Sequence, residues 1–164
     1  MKTKLIPTQN DLRETTRRAL VDLLNQQLAD VLDLGLQAKQ AHWNVKGPHF
    51  IGLHELFDKV TEELEEFTDD IAERAVALGG VALGTLQVVS KGSRLVAYPL
   101  NLADGQEHVA ALSNALAQFG TTTRAAIDTA ARAGDADTAD LFTEISRGVD
   151  KLLWFVEAHL QAKE

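Results

Sequence analysis

The chain is 164 residues long and 45% hydrophobic, with 16 Lys and Arg against 24 Asp and Glu, giving a formal net charge of −8. That length and apolar fraction suit one globular domain and exclude a disordered chain, and the acidic balance argues against nucleic-acid binding by the surface at large. Cysteine is absent, which excludes disulfides, thiolate metal sites and cysteine nucleophiles, and with no apolar h-region and no stretch near about 18 uninterrupted apolar residues the expectation is a cytoplasmic protein with no removed peptide.

Residues 1–10 are polar, carry Lys2 and Lys4, and are expected to form a flexible arm ahead of a single domain over 11–162. The first helix is expected to start near Asn10 or Asp11, with Glu14 as a capping-box partner for Asp11, and to run to Asn44 or Val45 before Gly47-Pro48. Its leucines and valines (Leu20, Leu24, Leu28, Val31, Leu34, Leu36) cover more than one face, as in a helix that touches both its own bundle and a neighbour. His42 falls near the angular position of Leu24, where a lone histidine is more often a packed group than a ligand. Trp43 reads most simply as an interface aromatic.

The second helix, Phe50 to Leu78, organises the rest. Leu53, Phe57, Val60, Leu64, Phe67, Ile71 and Leu78 step by threes and fours, the spacing of a buried stripe. His54, Asp58, Asp69 and Glu73 fall within a sector of roughly 100°, about 150° away from that stripe. All four side-chain types bind metals, although acidic residues on a polar helix face are commonly just solvated. Length constrains the metal reading. His54 and Asp58 are one turn apart, as are Asp69 and Glu73, but the rise from Asp58 to Asp69 is about 16 Å and from His54 to Glu73 about 28 Å. Metal–ligand bonds are about 2 Å. One straight helix therefore cannot bring both pairs to one ion. Two copies running antiparallel across a two-fold axis can, and such a contact makes two identical sites.

Gly79-Gly80 ends the second helix. From Val81 to Leu102 the pattern is neither a long helix nor a strand, and a crossover with one short helix, over Leu83 to Val88, is expected. A third helix is expected over Asp104 to Ala133 and a fourth from Asp135–Thr138 to about Ala162, giving an all-α four-helix bundle. Asp135, Asp137 and Asp140 at the fourth helix's start suit its macrodipole and free amides, and are equally suited to steering cations. His49, His108 and His159 are read as surface residues.

Three separated motifs, Lys39-Gln40-Ala41-His42-Trp43-Asn44, His54-Glu55-Leu56-Phe57-Asp58 and Asp69-Asp70-Ile71-Ala72-Glu73-Arg74-Ala75, resemble the Dps family of miniferritins, as do Ala75 to Gly84, Asp137-Thr138-Ala139-Asp140 and Asp150-Lys151 to Trp154-Phe155. The resemblance covers essentially Asp11 to Leu160. It implies a ferritin-like four-helix bundle, assembled as a hollow homododecamer, that oxidises Fe2+ at two-fold interfaces, usually with hydrogen peroxide, and stores the ferric mineral inside. Carried over residue by residue, His42, His54 and Asp58 of one subunit and Asp69 and Glu73 of its partner would bind the iron, Trp43 would stand beside it, and Asp140, with Asp137, would line the three-fold pore through which iron enters. Mixed carboxylate and imidazole ligands suit iron, and would also take Zn2+, which cannot be oxidised and is expected to inhibit. Imidazole must be neutral to bind, so activity is expected to fall below about pH 6.

Three alternatives stand beside this one, the plainest being a structural bundle with no metal chemistry. Ferritins and bacterioferritins hold a di-iron centre inside the bundle on Glu-x-x-His pairs; here Lys39, Lys46, Ile51, Gly105 and Val156 stand three residues before the histidines, which tells against it. Some members of the Dps family bind DNA through a lysine-rich tail. Here Lys2, Lys4, Arg13, Arg17 and Arg18, repeated on an assembly, could give salt-sensitive avidity.

Overall fold

The computed structural model of the protein describes residues 4–162. It is a four-helix bundle with one short helix in the crossover: α1 (Glu14–Asn44), α2 (Phe50–Ala77), α3 (Leu86–Gly92), α4 (Gly105–Ala133) and α5 (Ala136–Glu157), followed by a 3-10 turn at Ala158–Leu160. No strand is present among the described residues; Lys46 and Asp104 form an isolated bridge. α1 packs along α2 and α4 along α5, and the two hairpins meet through α1 against α4 and α2 against α5.

The stripe anticipated on α2 is the buried one: Leu53, Phe57, Val60, Leu64, Ile71 and Leu78 are at most 2% exposed. Phe119 on α4 and Phe142 on α5 fill the centre with them. Phe67 ends against α5 at Gly148, where a Cβ would stand 2.4 Å from its Cζ. Gly148 is thus a notch for a ring, and Gly148→Ala is expected to destabilise the fold by about 1–3 kcal/mol through overpacking. Urea unfolding of the two proteins measures this; an unchanged midpoint would show that Phe67 can move aside. The α4–α5 corner is made by Gly134, whose φ of 82° closes α4 with a left-handed residue.

Polar side chains of α1 hold the crossover along its length. Asn25 bonds Val81 and Leu83, Gln26 the Gly92 carbonyl, Asp30 the Arg94 backbone and guanidinium, Asp33 Ser93, and Gln37 the Val96 carbonyl. Lys46 N then donates to Ala103 O just before α4. The crossover therefore climbs α1 from its first third to its C-terminus, so α4 starts beside the beginning of α2 and runs parallel to it.

Three helix boundaries differ from expectation, two of them for a local reason. α1 starts at Glu14, because the Asn10 carboxamide accepts from Leu12 N and holds a turn there; Glu14 pairs with Arg18, and Arg13, at the cap position, makes no side-chain cap bond. α3 begins at Leu86, not Leu83, because the Asn25 carboxamide takes up the Val81 carbonyl and the Leu83 N–H, which keeps that stretch out of the helix. α5 gives way to the 3-10 turn after Glu157. Of the arm, Lys2 lies outside the described residues, while Ile6 N donates to Gly79 O at 2.7 Å. His108 is also not on the surface: it is 1% exposed. It lies on the α4 stripe with Leu112, Leu116 and Phe119, and that angular register was the available signal.

Candidate metal centre

His42 sits in the last turn of α1, and His54 and Asp58 in the second and third turns of α2, so the tight 45–49 corner brings together residues 12 and 16 apart. The imidazoles stack at 3.7 Å between centroids, inclined by 21°. His42 Nδ1 lies 2.7 Å from the His54 carbonyl oxygen, and His54 Nδ1 lies 2.9 Å from the His42 carbonyl oxygen. A carbonyl can only accept, so each Nδ1 carries the hydrogen and each neutral ring keeps a lone pair on Nε2. This reciprocal backbone clasp fixes the tautomer and the ring plane that a metal-ligating histidine needs. Both rings are partly exposed, as is Asp58.

Asp58 accepts a hydrogen bond from Lys39 Nζ. That bond, above all, holds the Asp58 carboxyl below its ordinary range, with the nearby imidazoles and the lysine charge acting the same way. Lys39 thus places a cation on the proposed ligand. It is one turn before His42 on the same face of α1, a juxtaposition that sequence reasoning did not draw out.

Asp69 and Glu73 stand exposed on the second half of α2, with no side-chain hydrogen bond or ion pair to other described residues. They lie on the same continuous 28-residue helix as His54 and Asp58 and are not brought to them within the chain. Among the described residues no group of three or more His, Asp or Glu side chains is gathered to hold an ion within one chain.

Exposed apolar side chains stand near His42 and Asp58. Trp43 is 66% exposed, and Leu36, Phe50, Ile51 and Leu86 are exposed with it. Beside them runs a groove of about 410 Å³ between α1, α2 and α3, lined by Leu32, Leu36, Lys39, Leu64, Glu65 and Leu86. Large exposed apolar side chains gathered near polar groups are the character of an association surface.

At the other end, Asp135 caps α5, its carboxylate accepting from Thr138 N, and is buried at 4% exposure. Arg74 Nη2 also donates to both of its carboxylate oxygens at 2.9 Å, while Arg74 Nε donates to Thr138 Oγ1. Asp137 is open, 3.8 Å from Arg74, and Asp140 is exposed. The acidic corner therefore divides: Asp135 is structural, and Asp137 and Asp140 face outward. Arg74 as its partner was not anticipated.

A ferritin-like domain profile matches residues 21–164. The chain is 48% identical over 156 residues to a DNA protection during starvation protein of Agrobacterium fabrum, covering 95% of this chain and 96% of that protein. Among solved structures, DpsC from Streptomyces coelicolor superposes with a TM-score of 0.92 at 31% identity, covering 99% of this chain and 94% of that one. A Dps of Mycobacterium smegmatis superposes at 0.89 and 33% identity, covering 99% and 96%.

Proposed function

Because the chain belongs to the Dps family of ferritin-like proteins, we propose that it is an iron-detoxifying and iron-storage ferroxidase of the cytoplasm. It oxidises Fe2+ with hydrogen peroxide at sites shared between subunits of a homododecamer and stores the ferric product inside. The observation that carries the reading is the His42–His54 clasp, which leaves two Nε2 lone pairs beside the Asp58 carboxylate.

In this reading His42, His54 and Asp58 of one subunit take Fe2+ as substrate, and Asp69 and Glu73 of the facing subunit complete the set. The carboxylates offset the positive charge that grows on oxidation, and Glu73 can lie between two ions. Trp43 and the apolar surface around it fit the contact that brings the second subunit in. Lys39 holds Asp58 ionised until an incoming cation displaces its amine. Asp137 and Asp140 supply negative charge at the pore through which iron enters.

The test is Fe2+ oxidation followed on adding peroxide without dioxygen. Peroxide takes two electrons and each Fe2+ gives one, so about two Fe2+ should be consumed per peroxide, faster than in protein-free buffer, and Zn2+ loaded beforehand should suppress the excess rate. A rate equal to that of buffer would end the reading.

DNA binding is the second reading, favoured by the name of the Agrobacterium fabrum relative. Among the described candidate cations, Arg17 donates to the Leu12 and Leu78 carbonyls, and Arg18 pairs with Glu14. The expected outcome is a weak gel shift at low salt that is lost at moderate salt. A shift that persists at moderate salt would make DNA binding a primary function.

A further inference from the structure

The mechanism makes no use of His108, a buried titratable ring in the first turns of α4. Tyr98 Oη, from the crossover, lies 2.7 Å from its Nδ1, with the two rings 6.1 Å apart and nearly parallel. Whichever of the two donates, Nε2 is left buried with no hydrogen-bond partner. A neutral ring tolerates one unmet position; a protonated ring would put a net charge into this buried slot, with the Leu102 backbone as the acceptor beside it, which is costlier.

The segment this pair controls is defined by its neighbours. Up to Val96 the crossover is tied by Asp30, Asp33, Gln37 and Gln118, and at Ala103 it is tied again by Lys46 N. Between those anchors Ala97, Pro99, Leu100 and Asn101 are exposed, Leu100 at 80%, and the side-chain tie to the bundle is Tyr98 on His108.

We propose that Tyr98 and His108 form an acid-opened latch on residues 97–102: the neutral ring stays in its slot and holds Tyr98, and a protonated ring leaves the slot and releases the segment from α4. The groups facing the ring fit this. Burial pushes His108 below the ordinary histidine range; the Leu102 backbone, Glu107 on its own helix and Asp104 at the cap oppose that, and Lys46 from the α1–α2 corner adds to it. Burial also pushes the Tyr98 phenol upward, so it stays protonated throughout. With the folded-state value below the unfolded one of about 6.5, the latch is closed above about pH 6.5 and opens as pH falls through the folded value. The device is independent of iron chemistry.

Hydrogen–deuterium exchange of the full-length protein, corrected for intrinsic rates, tests it between about pH 7.5 and 4.5. In the wild type, protection of residues 97–102 should fall by about tenfold or more while α1 peptides stay protected. In His108→Gln the fall should be absent. If that variant does not fold, Tyr98→Phe decides: its segment should be unprotected already at neutral pH, with no further change. The proposal is overturned by a constant wild-type profile, by a fall shared with α1 or with His108→Gln, or by a wild-type profile in Tyr98→Phe.

Discussion

An Asp58→Ala variant is expected to oxidise Fe2+ with peroxide at least about a hundredfold more slowly than the wild type. Loss of groups that merely orient metal ligands already costs about 10- to 100-fold, and Asp58 is proposed to touch the ion itself. Its removal also strands the Lys39 ammonium beside the two imidazoles, adding a positive charge with nothing to neutralise it. Lys39→Met should act in the opposite sense, tightening Fe2+ binding by taking away the competing cation. Stopped-flow oxidation kinetics on the three proteins measure both effects. Equal rates in wild type and Asp58→Ala would remove this residue from the site, and weaker binding in Lys39→Met would mean that the lysine orients Asp58 and does not compete for it.

Arg74→Ala is expected to cost about 3–5 kcal/mol of stability at neutral pH, the range for stranding one member of a buried ion pair. Asp135 is 4% exposed, and Arg74 Nη2 donates to both of its carboxylate oxygens. Burial pulls its carboxyl upward, and the Thr138 and Arg74 hydrogen bonds reverse that, holding it below the ordinary carboxylate range. A carboxylate with a depressed folded-state value stabilises the fold above its unfolded value of about 3.9 and loses that contribution as pH falls through the folded value. The gap between wild type and Arg74→Ala should therefore close in acid. Denaturant unfolding at neutral pH and near pH 3 measures the gap. A gap equal at both would mean that the arginine acts through packing and not through its charge. Replacing both partners together, Arg74→Met with Asp135→Leu, should cost less than Arg74→Ala, because no charge is left buried alone.

The long elements and the outward polar face of α2 were legible because they are repetitive. The α2 stripe repeats over seven turns, so Leu53 to Leu78 could be read as buried and His54, Asp58, Asp69 and Glu73 as pointing elsewhere. The resemblance to the Dps family rested on those same positions. What escaped depends on side chains that reach across chain distance. The start of α1 is displaced by one carboxamide at Asn10 and that of α3 by another at Asn25, and neither leaves a periodic trace. Lys39 meets Asp58, and Arg74 meets Asp135, only after helices separated in sequence are laid side by side. His108 is the instructive miss. Its chemical type says surface, while its place four residues before Leu112 says core. Position decides, because Tyr98 satisfies one ring nitrogen and so makes burial tolerable.

The central claim is that each catalytic site is built from two subunits, because one helix cannot carry His54 and Glu73 to the same ion. Co-expressing Asp58→Ala with Glu73→Ala under separate tags and purifying the mixed assemblies tests it directly. Across an isologous interface, every mixed pair holds one site with both lesions and one site with none, so random pairing should restore about a quarter of the wild-type oxidation rate. Mixed assemblies no more active than either parent would contradict the account.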